Sequence, residues 1–243
     1  MPMDRSNQRA SADDAPVDDD ILDDVIYSIS HDLRASIRAM RELPEWLKED
    51  LAAQGVDLAG EPDELLGLMQ DHARRLDAML AGLLAYSRVG RLQEVVTVEP
   101  LDVFKQVVGA LLPPEDTHFF CHFNAVPVRM GQADIAKIFE VILSNALTFG
   151  RNENGSRIEV TSCRSGEVWE LMIADSGPGI PADKIEHVMK PMRRLSAKAE
   201  DPTAGMGLFV LDRIVRHYGG EVLIETRRRR GGCLVRVRLP VLV

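Results

Sequence analysis

The most strongly patterned stretch of the chain is ILDDVIYSISHDLRASIRAM, residues 21–40, where Ile21, Leu22, Val25, Ile26, Ile29, Leu33, Ile37 and Met40 recur at steps of three and four. That spacing is the apolar stripe of an amphipathic helix. His31 stands two residues from both Ile29 and Leu33. Two residues turn a helix by about 200°, so the imidazole is expected to point away from the stripe. Asp32 follows it, and Arg34 and Arg38 lie on roughly the same face as His31. An acid beside the imidazole and two guanidinium groups above it suit a group that accepts and holds a phosphoryl. They suit an ordinary solvated helix face equally well. The apolar pattern runs on through Leu43 and Leu47 toward Leu51 and crosses Pro44, where a kink is expected.

Residues 52–64, AAQGVDLAGEPDE, break the pattern with Gly55, Gly60 and Pro62 and read as a loop. A second amphipathic helix follows on Leu65, Leu66, Met69, His72, Leu76, Met79, Leu80, Leu83 and Leu84, ending by Val89-Gly90. Two such helices make an antiparallel hairpin. One hairpin buries its seam poorly, whereas two form a four-helix bundle, so a homodimer through the hairpin is expected.

From Arg91 the pattern changes period. VVTV is β-branched and reads as a strand. LDVFKQVVGALL is a helix stopped by Pro113-Pro114, and HFFCHF and VPVRM read as strands. Residues 134–149 form a helix with Ile135, Ile138, Phe139, Ile142, Leu143 and Ala146 inward. RIEVTSCRSGEVWELMIAD reads as a hairpin turning at Ser165-Gly166. DSGPGIP is a glycine-rich turn, residues 182–204 a helix and a lid-like loop, GMGLFVLDRIVRHYGG a helix with glycine at both ends, and EVLIET and GGCLVRVRLP a closing strand pair. Helices mixed with largely antiparallel strands indicate an α+β sandwich. The expected organisation is an acidic disordered tail over residues 1–18, a helical-hairpin domain over 19–90, a linker over 91–98 and the sandwich over 99–243.

Composition narrows the classes. A net charge of −9 does not favour nucleic acid as a partner. No apolar run approaches the ~18 residues of a membrane span, and the N-terminus lacks a signal-peptide stretch, so a cytoplasmic protein is expected. Cys121, Cys163 and Cys233 have no metal-ligand spacing and are expected to be buried packing residues. The basic run Arg227 to Arg230 is expected to be a solvated turn.

Three pieces of the C-terminal half carry chemistry. Asn145 is the amide that follows the apolar run Val141-Ile142-Leu143 on the helix and can complete the shell of a hard cation or hold a phosphate. Asp175 ends a strand before Ser-Gly-Pro-Gly, where a carboxylate can accept a hydrogen bond from an exocyclic amine such as that of adenine, while Gly177 and Gly179 let backbone approach the ring. Gly205-Met206-Gly207 opens a helix, whose free N–H groups suit phosphate oxygens. Each alone carries little; the three in this order, with a lid between the second and third, carry much more.

These residues resemble the cytoplasmic core of a two-component sensor histidine kinase. SISHDLRASIRAM is similar to the phosphoacceptor box of the HisKA dimerisation domain and HARRLDAMLAGLLAYSRVG to its second helix. ILSNALTF resembles the N box, IADSGPGIP the G1 box, KPMRRL a worn F box and GMGLFVLDRIVRHYGG the G2 box of the GHKL (Bergerat) ATP-binding fold. The resemblance spans about residues 20 to 240. It implies that His31 is the phosphoacceptor and Asp32 its orienting acid. It makes Asn145 the Mg²⁺-binding amide, Asp175 the adenine carboxylate, and Gly177, Gly179, Gly205 and Gly207 the glycines around the nucleotide. Arg194 becomes the lid arginine reaching the γ-phosphate. ATP and Mg²⁺ are the implied cofactors. A response regulator receiver domain is the implied partner, and a separate sensor protein could supply the signal.

The sequence also departs from the family. Val141 stands where an earlier N-box Asn is usual, Thr148 where a Lys is, and Thr203 where the first glycine of the G2 box is. Met189 and Met192 replace F-box aromatics, and Ala35 and Ser36 replace a Thr and a Pro after the histidine. A lost charge-assisted bond is worth ~1.5–3 kcal/mol, so weak nucleotide use is one expected consequence. The alternative is a histidine phosphotransfer protein whose ATP-binding domain has decayed into a scaffold. A non-catalytic dimeric regulator binding partners through its helices is a third class.

Overall fold

The computed structural model describes residues 19–241 except 57, 59, 92, 125, 154, 196–203 and 228–230, with side chains from Ser28 onward apart from that of His31. The expected tail, Thr203, the lid and Arg228 to Arg230 lie outside the described residues.

Helix α1 (Asp19–Ala53) starts at an acidic run that suits a helix N-terminus, and α2 (Glu61–Ser87) opens with Glu61, Pro62, Asp63 and Glu64. Helix α1 continues through Pro44 to Ala53. The two helices are antiparallel neighbours. Lys48 Nζ meets Asp63 at 2.7 Å, Gln70 Nε2 donates to Glu45 at 2.9 Å, and Ile37 shares a cleft with Asp77. Continuing that register sets Gly82 opposite the turn of α1 that contains His31. Ile37, Ala73, Leu80 and Leu84 are buried, whereas Ile29, Leu33, Met40, Leu43, Leu47, Leu65, Met69 and Leu76 stay about half exposed in the single chain. One hairpin does leave much of its seam uncovered.

The rest is an α/β sandwich. Strand β1 (Val95–Val98) pairs antiparallel with β3 (Val128–Gly131), and α3 (Pro100–Leu111) follows β1. The larger sheet has the order β2–β5–β6–β8–β7, with the two-residue β4 (Arg151–Asn152) on β5. Its strands are β2 (Thr117–Phe123), β5 (Gly155–Ser165), β6 (Val168–Ala174), β7 (Glu221–Thr226) and β8 (Cys233–Pro240). β2 and β5 are parallel, unlike the other pairs. Their connection passes through β3 and α4 (Gln132–Phe149), the long crossover that parallel pairing requires. β5 and β6 form the expected hairpin about Gly166. Alternate residues Ile158, Val160, Trp169, Leu171, Ile173, Val235 and Val237 turn inward onto α3, onto α4, and onto α6 (Gly207–His217), building one core.

Two expectations need correction. The helix expected from residue 182 is a 3-10 turn (Ala182–Lys184) and a short α5 (Ile185–Val188). Pro191 disfavours helix in the residue before it, and Met192 takes φ 60°. Of the cysteines only Cys233 is buried; Cys163 is half-buried and Cys121 exposed. Cys121 lies on the edge strand β2, which a neighbouring strand covers on one side only.

The hairpin and the sandwich touch along α2 and α6. Tyr86 and Phe209 stack with centroids 4.6 Å apart at 3°, and Arg213 lies over the Tyr86 ring at 5.2 Å. Met206 packs on Gly82, where a Cβ would stand 2.5 Å from the Met206 Cβ.

Candidate active site

Asp175 follows the last residue of β6. Its Oδ1 accepts the N–H of Gly177 at 2.9 Å and of Cys233 at 3.0 Å, while its own N–H donates to the Cys233 carbonyl at 3.0 Å. Burial pushes the carboxyl above the usual carboxylate range. The two amide donors and the nearby Arg227 oppose that rise without cancelling it. Side chains are excluded around it. A Cβ at Gly150 would stand 2.6 Å from the Asp175 Cβ, one at Gly177 would strike the Phe149 carbonyl, and one at Gly232 the Asp175 carbonyl. Ser176 ties the turn down: its Oγ donates to the Gly150 carbonyl and accepts the Arg157 N–H, both at 3.0 Å.

Helix α4 runs past this turn. Phe149 and Gly150 at its end meet Gly177, and Val141, two turns earlier, meets Gly207, with Cγ1 3.2 Å from where a Cβ would stand. Asn145 is half-buried and midway between them, so Val141, Asn145 and Phe149 follow one row of the helix. The amide is thereby set between the glycine turn of Asp175 and the glycine turn that opens α6. Gly207 begins α6, whose first N–H groups have no partner in the helix. Gly205 takes φ +70°, and a Cβ there would lie 2.6 Å from the Arg193 carbonyl. Arg194, half-buried, is therefore the next residue along from that contact.

Asn145, Asp175, Gly177, Gly205, Gly207 and Arg194 are thus gathered around the adjoining ends of α4, β6 and α6. Gly179 faces the β7–β8 turn, with a Cβ position 2.8 Å from the Gly232 carbonyl. His31 and Asp32 are on α1 of the hairpin; Asp32 and Arg34 are exposed. Sequence reasoning missed Gly150, Gly232, Met206 and Ser176. The Gly231-Gly232 pair ahead of an alternating strand was a usable signal for close approach. Nothing marked Met206, the middle residue of a short glycine motif, as a contact to the hairpin. Reasoning also missed a cavity of about 420 Å³ beside Asp175, lined by Arg157, Glu159, Ser176 and Arg227.

Among the described residues no group of three or more His, Cys, Asp or Glu could hold a metal ion. The Asn145 amide oxygen is a hard donor of the kind a Mg²⁺ ion could take beside phosphate oxygens and water. Among the described residues no helix is long and apolar enough to cross a membrane.

Residues 130–243 match the family of histidine kinase-, DNA gyrase B- and HSP90-like ATPases. The methanogenesis regulatory histidine kinase FilI of Methanothrix harundinacea is 26% identical over 218 residues, covering 86% of this chain and 24% of its own. The signal transduction histidine-protein kinase AfsQ2 of Streptomyces coelicolor is 25% identical over 226 residues, covering 88% and 41%. The adaptive-response sensory kinase SasA of a Synechococcus strain is 27% identical over 221 residues, covering 87% and 58%. The chain thus spans between about a quarter and three-fifths of the length of these relatives. In fold it is similar to full-length ShkA in complex with AMPPNP (TM-score 0.64, 16% identity, 89% of this chain and 45% of that one). It is also similar to the histidine kinase AdeS of Acinetobacter baumannii (TM-score 0.59, 16% identity, 86% and 98%). Residues 130–243 thus form an ATP-binding domain of the histidine kinase-, DNA gyrase B- and HSP90-like ATPase family, and the helical hairpin with its adjoining sandwich is similar over most of its length to the sensor histidine kinases named above.

Proposed function

We propose that the chain is an ATP-dependent protein histidine kinase that phosphorylates itself on His31 and passes the phosphoryl to an aspartate of a response regulator receiver domain. The observation that carries the reading is the seat of Met206 on Gly82. It sets the phosphate-type turn Gly205–Gly207 at the height of the α1 turn holding His31.

In this reading Asp175 takes the exocyclic amine of adenine. Its Oδ1 is occupied by two backbone donors, which fixes the carboxylate and turns Oδ2 to the ligand. The α6 N-terminus holds phosphate oxygens, and Arg194 reaches the γ-phosphate. Mg²⁺ neutralises charge on the phosphates when bound. A neutral imidazole nitrogen of His31 attacks the γ-phosphorus in line. A P–N bond forms, the bond to the β-phosphate oxygen breaks, ADP leaves, and the imidazole proton passes to Asp32 or water. The receiver aspartate then takes the phosphoryl and restores His31. Two hairpins pair through the exposed seam.

The second reading, a phosphotransfer protein with a non-binding domain, draws support from Val141, which is buried against Gly207 where the family has a polar residue. Titration with a fluorescent adenine nucleotide, with and without Mg²⁺, separates the two. Micromolar, Mg²⁺-strengthened binding that Asn145→Ala weakens supports the kinase. Absent binding at millimolar nucleotide supports the phosphotransfer protein.

A further inference from the structure

Three segments far apart in sequence converge where the hairpin joins the sandwich. The Gly90 N–H donates to Asp134 Oδ2 at 3.1 Å, and the Tyr218 hydroxyl donates to the same oxygen at 2.7 Å. The Tyr218 oxygen in turn accepts the Gly131 N–H at 3.0 Å. Asp134 is only 5% exposed. The His217 ring stands edge-on to Tyr218 at 4.9 Å and covers Gly90, which takes φ +71°; any side chain at Gly90 would collide with that ring. Close by, Gln93 Oε1 accepts the Ala133 N–H at 2.9 Å.

The helices that carry the nucleotide residues begin or end in this network. Asp134 is in the first turn of α4, ahead of Asn145, and Tyr218 caps α6, which Gly207 opens. Gly90 belongs to the segment leaving α2. A buried carboxylate is a costly way to fill space, and an apolar pair of similar size would pack there at less cost. What the carboxylate and phenol add is direction: the Gly131 N–H holds the Tyr218 hydroxyl in place within the sandwich, the hydroxyl orients Asp134, and the Gly90 N–H leaving the hairpin is satisfied at one orientation against it.

We propose that Asp134 and Tyr218 form a positioning latch that fixes the angle at which the ATP-binding domain leaves the hairpin and thereby sets the rate of phosphoryl transfer to His31. The proposal rests on the kinase reading above. Asp134 and Tyr218 lie at the opposite ends of α4 and α6 from the Asp175 and Gly205–Gly207 turns, so the latch acts on transfer and leaves nucleotide affinity alone.

The test uses the full chain and three readouts: hydrogen exchange at the Gly90 amide, single-turnover phosphohistidine formation as a function of ATP concentration, and melting temperature. Tyr218→Phe keeps the ring and removes the hydroxyl. It is expected to speed Gly90 exchange at least tenfold and to lower the transfer rate constant at least fivefold, with half-saturating ATP within twofold. Asp134→Asn keeps a carbonyl oxygen for both donors and is expected to retain most of the rate. Asp134→Ala with Tyr218→Phe is expected to be no slower than Asp134→Ala alone. An unchanged transfer rate in Tyr218→Phe, or a loss that follows ATP affinity and melting temperature together, overturns the latch. If the native chain forms no phosphohistidine, the kinase reading fails. Gly90 exchange then decides the latch alone, and exchange unaltered by Tyr218→Phe overturns it.

Discussion

Met206 rests directly on Gly82: the middle residue of the glycine turn is 4% exposed, and its Cβ lies 2.5 Å from where a hairpin side chain would begin. A β-carbon at position 82 therefore forces the hairpin and the sandwich apart at this contact. Gly82→Leu should leave the hairpin folded, because leucine favours helix over glycine by about 1 kcal/mol. The expected result is at least a tenfold fall in autophosphorylation with nucleotide affinity within threefold. Transfer kinetics beside nucleotide titration check it; an unchanged rate would remove the Gly82 contact from the account.

Asp175 sets a carboxyl in a buried place. Its folded-state pKa is raised, chiefly by burial, so the native state holds the proton more tightly than the unfolded chain. Its contribution to stability is most favourable below the ordinary carboxylate range and declines as pH rises through the folded value. Asp175→Asn keeps an acceptor for the Gly177 and Cys233 amides and removes the charge. Its melting temperature at pH 7 should equal or exceed that of the native chain, while adenine nucleotide affinity falls tenfold or more. Calorimetric melting at pH 5 and 7, paired with nucleotide titration, reads both.

Tyr218 makes an alkaline prediction. Burial, with donation to Asp134, pushes its hydroxyl from 10.0 up to about 12. Above pH 10 the unfolded chain loses this proton before the native state does, so stability falls as pH rises from 10 toward 12. Cys233, pushed up to about 12 by burial and by Asp175, adds a loss that begins near pH 9. Denaturant melts across pH 8 to 11.5 should show a shallower decline above pH 10 in Tyr218→Phe, with the Cys233 component retained.

The uncovered seam predicts association. Burying one large aliphatic side chain is worth about 1.5–3 kcal/mol, and Leu33, Met40, Leu65, Met69 and Leu76 all lie open on the hairpin. Light scattering should find a dimer. Leu33→Glu together with Met69→Glu should give a monomer whose sandwich still binds nucleotide.

The hairpin, both helices of the candidate site and every strand of the larger sheet except the short β4 were legible because their apolar periods are long and clean. Direction was not: a parallel β2 reads like an antiparallel one, since alternation records faces and not polarity. The helix expected after residue 182 ended early because a proline and a left-handed Met192 outweighed a helical pattern. In the candidate site, polar side chains set against an apolar pattern stood out in the sequence, as with Asn145 and Asp175. Residues that only permit contact did not. Gly150, Gly82 and Met206 acquire meaning from chain segments more than 20 residues away, and no local spacing records that.

The most direct test of the central claim is incubation of the native chain, His31→Gln and Asn145→Ala with Mg²⁺ and γ-labelled ATP. The account predicts acid-labile, base-stable label on the native chain and none on either variant. Absence of label on the native chain, or equal label on His31→Gln, would contradict it.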